Sequence, residues 1–289
     1  MIELDASSVL LQWATGGLFF LWVTGRRRLV GVGYGWLLRS TYGLLALGAF
    51  VIGLRLDSVP GRDLPALGVA VATAAAGLLS YRRRAAGVAG PRARAAAARE
   101  RVGAMVAPAS APAADDAVGG DAPSSAEFDP RLDLVAPAIG LVGLVMAGIH
   151  AGDPLWLSVA RMVVGAAFLG AVSDAMLLGH WYLVQPGLNR APLVELVRWT
   201  GVLWLPEVAL LLVPTGMVSV WTGAIDDGYA GMLGWFWGAC VVTTIGLVGV
   251  TLAALRERQY AAVMAATGLL YLAILTGFGI DLVGRASLG

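Results

Sequence analysis

Long apolar segments recur along the chain, and short groups of polar or charged residues separate them. A helix needs about 20 mainly apolar residues to cross the hydrocarbon core of a bilayer. The pattern therefore predicts an all-α, polytopic membrane helix bundle. Eight membrane-spanning helices are predicted, at about residues 8–25, 30–54, 64–81, 133–150, 155–184, 192–217, 231–255 and 260–283.

One long segment, residues 82–131, interrupts the apolar pattern. It begins rich in arginine, ends acidic and contains many Pro, Ala, Gly and Ser residues, so it predicts a disordered linker rather than a folded core. An alternative is that residues 92–105 form a short surface helix that recognises a partner. The predicted organisation has a three-helix membrane segment, a linker and a five-helix membrane segment, at residues 1–81, 82–131 and 132–289.

The composition supports this class, with 58% apolar and 13% charged residues. The predicted surroundings are a lipid bilayer, and the predicted location is the plasma membrane, as a multi-pass protein. A net charge of +1 provides no basic surface for nucleic acid, which is excluded as a partner. Contact with partner membrane subunits is a further expectation. The arginines that open the linker are predicted to contact anionic lipid, namely Arg82, Arg83 and Arg84.

The distribution of arginine predicts the orientation, because basic residues resist translocation across the membrane. Arginines gather in the connections on one side of the predicted bundle, including the linker, and are sparse on the other side. The linker is therefore predicted in the cytoplasm and both termini outside. On the outer side, the aspartates at helix ends are interpreted as solvated, namely Asp226, Asp227 and Asp281.

Ionisable residues inside predicted spans are candidates for function, because they are costly in a bilayer. If the fifth and sixth spans form a hairpin about residues 189–192, Asp174 and Glu207 share a depth near the middle of the membrane. Arg39, about ten residues into the second span, is a candidate counter-ion. These three residues predict either a proton or cation pathway, or a structural ion pair at the helix that Pro206 interrupts.

A second candidate site is the segment GHWYLVQPG, near the predicted cytoplasmic end of the fifth span. His180, Trp181, Tyr182 and Gln185 combine an imidazole, two aromatic rings with polar atoms and an amide. Such a group suits a quinone head group or one axial position of haem b. His150 lies at the other end of a span, so a partner subunit would supply the second haem ligand. Alternatively, His180 anchors the helix at the interface and binds no ligand.

Three hypotheses for function follow. The first is an integral membrane subunit or accessory protein of a redox complex, with His180 and its neighbours contacting quinone or haem. The second is a proton- or cation-coupled transporter that uses Asp174, Glu207 and Arg39. The third is a structural membrane partner without a small-molecule site. The sequence has no nucleotide-binding, metalloprotease or hydrolase motif, and it predicts neither catalytic residues nor a metal site.

Overall fold

The structure is a computed structural model that describes residues 5–83, 128–152, 154–185, 188–257 and 259–288. These residues are all-α, and one 3-10 turn at Pro130–Leu134 precedes α4. The helices are α1 Ala6–Gly25, α2 Val32–Leu56, α3 Pro60–Arg82, α4 Val135–His150, α5 Leu155–Val184, α6 Ala191–Leu212, α7 Gly216–Trp221, α8 Met232–Ala254 and α9 Tyr260–Leu288.

Seven of the predicted spans have the length and apolar composition needed to cross a membrane. They are α1, α2, α3, α4 with its 3-10 turn, α5, α8 and α9. The prediction of a multi-pass helical membrane protein is thereby confirmed. The other predicted span forms as α6, a helix of 22 residues. It is not among the seven, because Glu195, Arg198 and Glu207 interrupt its apolar sequence.

Helix α6 nevertheless runs the length of its neighbour α5. At one end of the pair, the Tyr182 hydroxyl donates to the Asn189 carbonyl at 2.6 Å. At the other end, Arg161 Nη2 donates to the Val213 carbonyl at 2.7 Å. The predicted span continued to residue 217, but α6 ends at Leu212 and the short α7 follows. Helix α6 therefore crosses the bundle from end to end despite its charged residues.

Helices α1 and α5 are the most buried of the seven spans and occupy the centre of the bundle. Their backbones touch at two glycines. A Cβ atom on Gly16 would lie 1.7 Å from the Ala166 carbonyl oxygen, and one on Gly170 would lie 2.2 Å from the carbonyl carbon of Gly16. Small residues at such a crossing allow helices to approach closely in a membrane. This close contact between α1 and α5 therefore fixes the positions of the side chains around it.

Helices on the two sides of the linker pack together. Helix α1 contacts α2 as well as α4 and α5, and α3 contacts α4. Most of the predicted linker, with Arg84 and the candidate surface helix at 92–105, lies outside the described residues. Arg82 and Arg83 are exposed at the end of α3. The membrane helices thus form one set of contacts around α1 and α5.

Asp227 organises the start of α8, outside the spans. Its carboxylate accepts hydrogen bonds from the backbone N–H groups of Gly231, Tyr229 and Leu233, at 2.8, 2.9 and 2.9 Å. These donors stabilise the charged form and hold the pKa of Asp227 below its usual value. Asp227 therefore satisfies backbone N–H groups in the connection before α8 and in its first turn.

Candidate functional site

Five carboxyl side chains are buried in the described part of the bundle. Each must be paired with a cation, hydrogen-bonded or protonated, because an isolated charge is costly there. Asp63 and Asp133 each pair with one arginine. The other three, Asp174, Glu207 and Asp281, belong to two polar clusters that form the candidate site.

The first cluster contains Glu207 on α6 and Asp281 on α9. We call these two residues the acid pair. Both residues are almost completely buried, their carboxyl groups interact with each other, and Glu207 Oε2 has no hydrogen-bond partner among the described residues. Arg285 donates from Nε to both carboxylate oxygens of Asp281, at 3.0 and 2.9 Å. Gln12 Nε2 on α1 lies 3.4 Å from Asp281 Oδ1. Because two neighbouring buried carboxylates repel each other, this arrangement can hold a proton.

A second arginine, Arg161 on α5, lies beside the acid pair. Its Nε donates to the Leu210 carbonyl at 2.9 Å, and its Nη2 donates to the Val213 carbonyl at 2.7 Å. These carbonyls lie at the C-terminal end of α6, where helices leave acceptors unsatisfied. Arg161 also interacts electrostatically with Glu207 and Arg285. The acid pair is therefore surrounded by two guanidinium groups.

Gly165 on α5 provides the space for this cluster. A Cβ atom at this position would lie 2.1 Å from Gln12 Nε2 and 2.8 Å from Asp281 Oδ1. No side chain fits at those distances without displacing one of these groups. Gly165 therefore lets α1 and α9 bring their polar side chains together against the face of α5.

The second cluster, which we call the Asp174 site, contains Asp174, Tyr42, Ser173 and Trp13. The Tyr42 hydroxyl donates to Asp174 Oδ1 at 2.5 Å, and Trp13 Nε1 donates to Ser173 Oγ at 2.8 Å. Ser173 also interacts with the Tyr42 hydroxyl. Asp174 is fully buried, and its Oδ2 has no hydrogen-bond partner in the described part of the chain. Unlike the acid pair, this carboxyl group has no arginine beside it among those residues.

The structure places Asp174 and Glu207 at different depths, whereas the hairpin argument placed them at one depth. Helix α5 ends at Val184 and α6 begins at Ala191. The centre of the hairpin therefore lies near residue 187 or 188, about three residues before the centre that the sequence suggested. With the rise of 1.5 Å per residue, the two carboxyl groups are about 9 Å apart along the helix axes. They belong to separate clusters.

Arg39 is not the counter-ion of either carboxyl group in this structure. Its Nε and Nη2 donate to the two oxygens of Asp133 at 2.8 and 2.7 Å, and its Nη1 lies 3.3 Å from Ser80 Oγ. Both charged groups are buried. The sequence did not indicate this pairing, because Asp133 lies 94 positions away in the chain. Arg39 therefore holds α2 to the 3-10 turn that follows the linker.

The four residues of the predicted quinone or haem site point to different neighbours. His180 is exposed, and its Nδ1 lies 3.1 Å from the Tyr271 hydroxyl on α9. Trp181 and Gln185 bond to each other at 3.2 Å. Tyr182 is buried and bonds to the connection before α6. The segment therefore contains an exposed histidine and a separate tryptophan–glutamine pair, rather than four side chains around one position.

The histidines lie at opposite ends of the bundle. His150 ends α4, just before α5 begins, whereas His180 lies 25 positions after Leu155, the first residue of α5. That separation corresponds to about 37 Å along a helix, which agrees with the sequence argument against a shared haem. The described residues also contain no group of three or more His, Cys, Asp or Glu side chains suited to a metal ion.

The sequence does not predict that Asp281 belongs to the acid pair. Asp281 was interpreted as a solvated residue at a helix end, but it is buried and paired with Arg285. The spacing of these two residues, one helical turn apart within an apolar segment, was the available signal. Gln12 and Arg161 carried weaker signals, since single polar residues near helix ends are common. Their contribution becomes visible only when α1, α5 and α9 are packed together.

Searches against protein-family models, curated proteins and solved structures find no match to the chain.

Proposed function

We propose that this protein is a proton-coupled membrane transporter in which the acid pair is the coupling site. The observation that carries the proposal is the burial of two interacting carboxyl groups, those of Glu207 and Asp281, beside Arg285. A pair that shares one proton can lose it when its surroundings change, because the nearby guanidinium groups stabilise the resulting carboxylates. Three different helices supply the groups, so a shift of one helix would alter the protonation of the pair.

The charges around the acid pair favour a proton over a metal cation as the coupling ion. Arg285 binds both oxygens of Asp281, and Arg161 faces Glu207 from α5. A metal cation would meet two fixed positive charges, and it would also have to displace Arg285 from the carboxylate. A proton adds to one carboxyl oxygen and leaves these contacts in place. We therefore narrow the transport hypothesis to protons.

The first experiment tests whether the acid pair holds a proton. A hydrophobic carbodiimide reacts with protonated carboxyl groups that lie within the membrane. We expect mass spectrometry of the treated full chain to locate an adduct on Glu207 or Asp281, and the yield to fall as the pH rises. The matched control is Glu195, which lies on the same helix and pairs with Arg26 and Arg27. It should remain unlabelled because two arginines pair with its carboxylate.

The second experiment measures proton movement in reconstituted vesicles with an internal pH dye and an imposed membrane potential. Glu207→Gln and Asp281→Asn should each abolish proton flux, because amides keep the shape of the side chain but do not titrate. Glu195→Gln should retain it. Flux that persists in both acid-pair variants, or no flux above that of empty vesicles for the unmodified protein, would refute the proposal.

A second candidate function, a membrane subunit of a redox complex, has one specific observation in its favour. His180 is exposed near the end of α5, and Tyr271 engages its Nδ1. This contact leaves Nε2 to bind a quinone carbonyl or to provide one axial ligand of haem b. Trp181, Tyr182 and Gln185 would then shape the surrounding helix end rather than contact the cofactor together.

The redox candidate is tested by the absorption spectrum and the extracted quinone content of the purified protein. We expect His180→Ala to remove the haem band or lower the bound quinone, and Tyr271→Phe to weaken it less, because the imidazole remains. Equal cofactor content in the wild-type protein and His180→Ala would exclude this site. A wild-type protein with neither cofactor nor proton flux would favour the purely structural alternative.

A further inference from the structure

The Asp174 site is separate from the acid pair, and its chemistry differs. Asp174 has no arginine beside it in the described part of the chain, and Oδ1 accepts a hydrogen bond from Tyr42. Oδ2 is completely buried without a partner among the same residues. An uncompensated carboxylate is costly in such surroundings, whereas the neutral acid is tolerated. Oδ2 is the oxygen positioned to carry the proton.

Hydroxyl groups lead away from Asp174 on one side only. Tyr42 donates to Oδ1, Ser173 interacts with the Tyr42 hydroxyl, and Trp13 donates to Ser173. Tyrosine and serine hydroxyls both donate and accept, so each can take up one proton while it releases another. The indole N–H of Trp13 donates only. The series of hydroxyls therefore ends at Trp13.

Trp13 contacts helices that contribute to both clusters. It follows Gln12, which contacts Asp281 of the acid pair, and its ring packs edge-on against Phe278 of α9 with centroids 4.7 Å apart. The indole thus contacts α5 through Ser173 and α9 through Phe278. Because an indole does not accept a proton, it interrupts proton transfer between the acid pair and Ser173 while it stays in this position.

We propose that Asp174 is a second proton-binding site of the transporter, reached through Ser173 and Tyr42, and that Trp13 is the gate between this site and the acid pair. The inference rests on the proposed function. When the indole moves away, water that reaches Ser173 supplies a proton. Ser173 passes its own proton to Tyr42, and Tyr42 passes its proton to Asp174 Oδ1. Rotation of the carboxyl group then moves the protonated oxygen to the buried position that Oδ2 occupies, and Tyr42 again donates to the other oxygen. Each hydroxyl gains and loses one proton, so the only net change converts the Asp174 carboxylate to the acid.

The groups that face Asp174 are compatible with titration of this residue alone. Tyr34 and Tyr42 of α2 are the titratable neighbours, and the Tyr34 hydroxyl contacts the Asp174 backbone carbonyl at 3.3 Å. Helix α1 contributes Trp13, and Ser173 is adjacent on α5. In the described residues, α6 and α9 present no charged group that acts on Asp174. Among the described residues, no charged side chain beside Asp174 therefore complicates the assignment of its carbonyl band.

Infrared difference spectroscopy of the purified full chain between acidic and alkaline pH tests this inference. Protonated carboxyl groups give carbonyl bands separate from the amide bands. Asp174→Asn should remove one band and leave the acid-pair band, whereas Glu207→Gln should do the reverse. Tyr42→Phe should shift the Asp174 band to higher frequency, because the carbonyl loses its hydrogen bond. Tyr271→Phe, at a tyrosine remote from Asp174, is the matched control and should cause no shift.

The gate has its own measurement. After transfer into heavy water, exchange of the Asp174 proton for deuterium shifts its carbonyl band, and Trp13→Phe should speed that shift because the indole N–H no longer holds Ser173. Unchanged exchange in Trp13→Phe would overturn the gate. An unaltered band pattern in both Asp174→Asn and Tyr42→Phe would overturn the second site. If Glu207→Gln still removes its band, the acid-pair proposal survives that failure.

Discussion

At the residue scale, the buried carboxyl groups differ in how their charge is compensated. Asp281 has Arg285 one turn away on the same helix, and Glu207 has Asp281 and Arg161 as neighbours. Asp174 has only hydroxyl groups beside its carboxyl group among the described residues. The two clusters therefore differ in the charge that surrounds their carboxyl groups.

Gly165 gives a prediction that concerns the geometry of the acid pair alone. Gly165→Ala places a methyl group where Gln12 Nε2 and Asp281 Oδ1 now lie. Overpacking of this kind costs about 1–3 kcal/mol. We expect a lower thermal unfolding midpoint in detergent. The matched control is Gly249→Ala on α8, where a Cβ atom would meet nothing within 4 Å. Equal midpoints for the two variants would contradict this account of Gly165.

The sequence revealed part of the candidate site. Asp174 and Glu207 were identified because ionisable residues within apolar segments are costly and therefore informative. Asp281 was misinterpreted because it lies near a helix end, where solvation is the usual explanation. The orientation of a side chain at such a position depends on its neighbours. Tyr42 and Trp13 gave no signal, since aromatic residues in membrane helices are common and only packing brings them to Asp174 and Ser173.

At the scale of elements, the pair formed by Arg39 and Asp133 connects α2 to the turn before α4. Asp133→Asn would leave the Arg39 guanidinium buried without its carboxylate. Breaking a buried ion pair in this way costs about 3–5 kcal/mol. We expect a large drop in the thermal midpoint and recovery of part of it in the double variant Arg39→Leu, Asp133→Leu, because that variant buries no charge.

An exposed ion pair is the control for this prediction. Arg27 lies in the connection between α1 and α2, and its Nη1 is 3.3 Å from Oε2 of Glu195 on α6. The Arg27 side chain is about half exposed. Pairs of this kind contribute roughly 0–1 kcal/mol. Arg27→Gln should therefore change the midpoint little. If Asp133→Asn were as mild as Arg27→Gln, or if the double variant recovered none of the loss, the pair would not stabilise the contact.

The ends of a helix could be predicted where the length of an apolar segment determines them. Helix α5 occupies residues 155–184 as predicted, since a long apolar run has only one way to satisfy its backbone in lipid. Helix α6 ends five residues before its predicted boundary at 217, and α7 follows. That end coincides with the carbonyl groups that Arg161 binds. The contact is tertiary, so the hydropathy pattern of α6 does not contain it.

At the scale of the whole molecule, the start of α1 and the end of α9 lie at the same end of the bundle. Asp5, before α1, pairs with Arg62 at the start of α3. Arg285, near the end of α9, contacts Met162 near the start of α5. Helices α4 and α5 meet there, and Met146 of α4 packs beside Gly61 of α3. This arrangement requires an even number of crossings, in agreement with α6 as a crossing helix.

The distribution of arginine then predicts which end faces outward, and cysteine labelling tests it. The chain has one cysteine, Cys240, so Cys240→Ala gives a background without thiols. In that background, a thiol from Gly120→Cys should react with an impermeant reagent only after the cells are permeabilised, because basic segments remain in the cytoplasm. The paired variant Asp226→Cys, in the exposed connection before α8, should react in intact cells. Labelling of Gly120→Cys in intact cells, together with protection of Asp226→Cys, would reverse the orientation and place the end of the bundle nearest the acid pair in the cytoplasm.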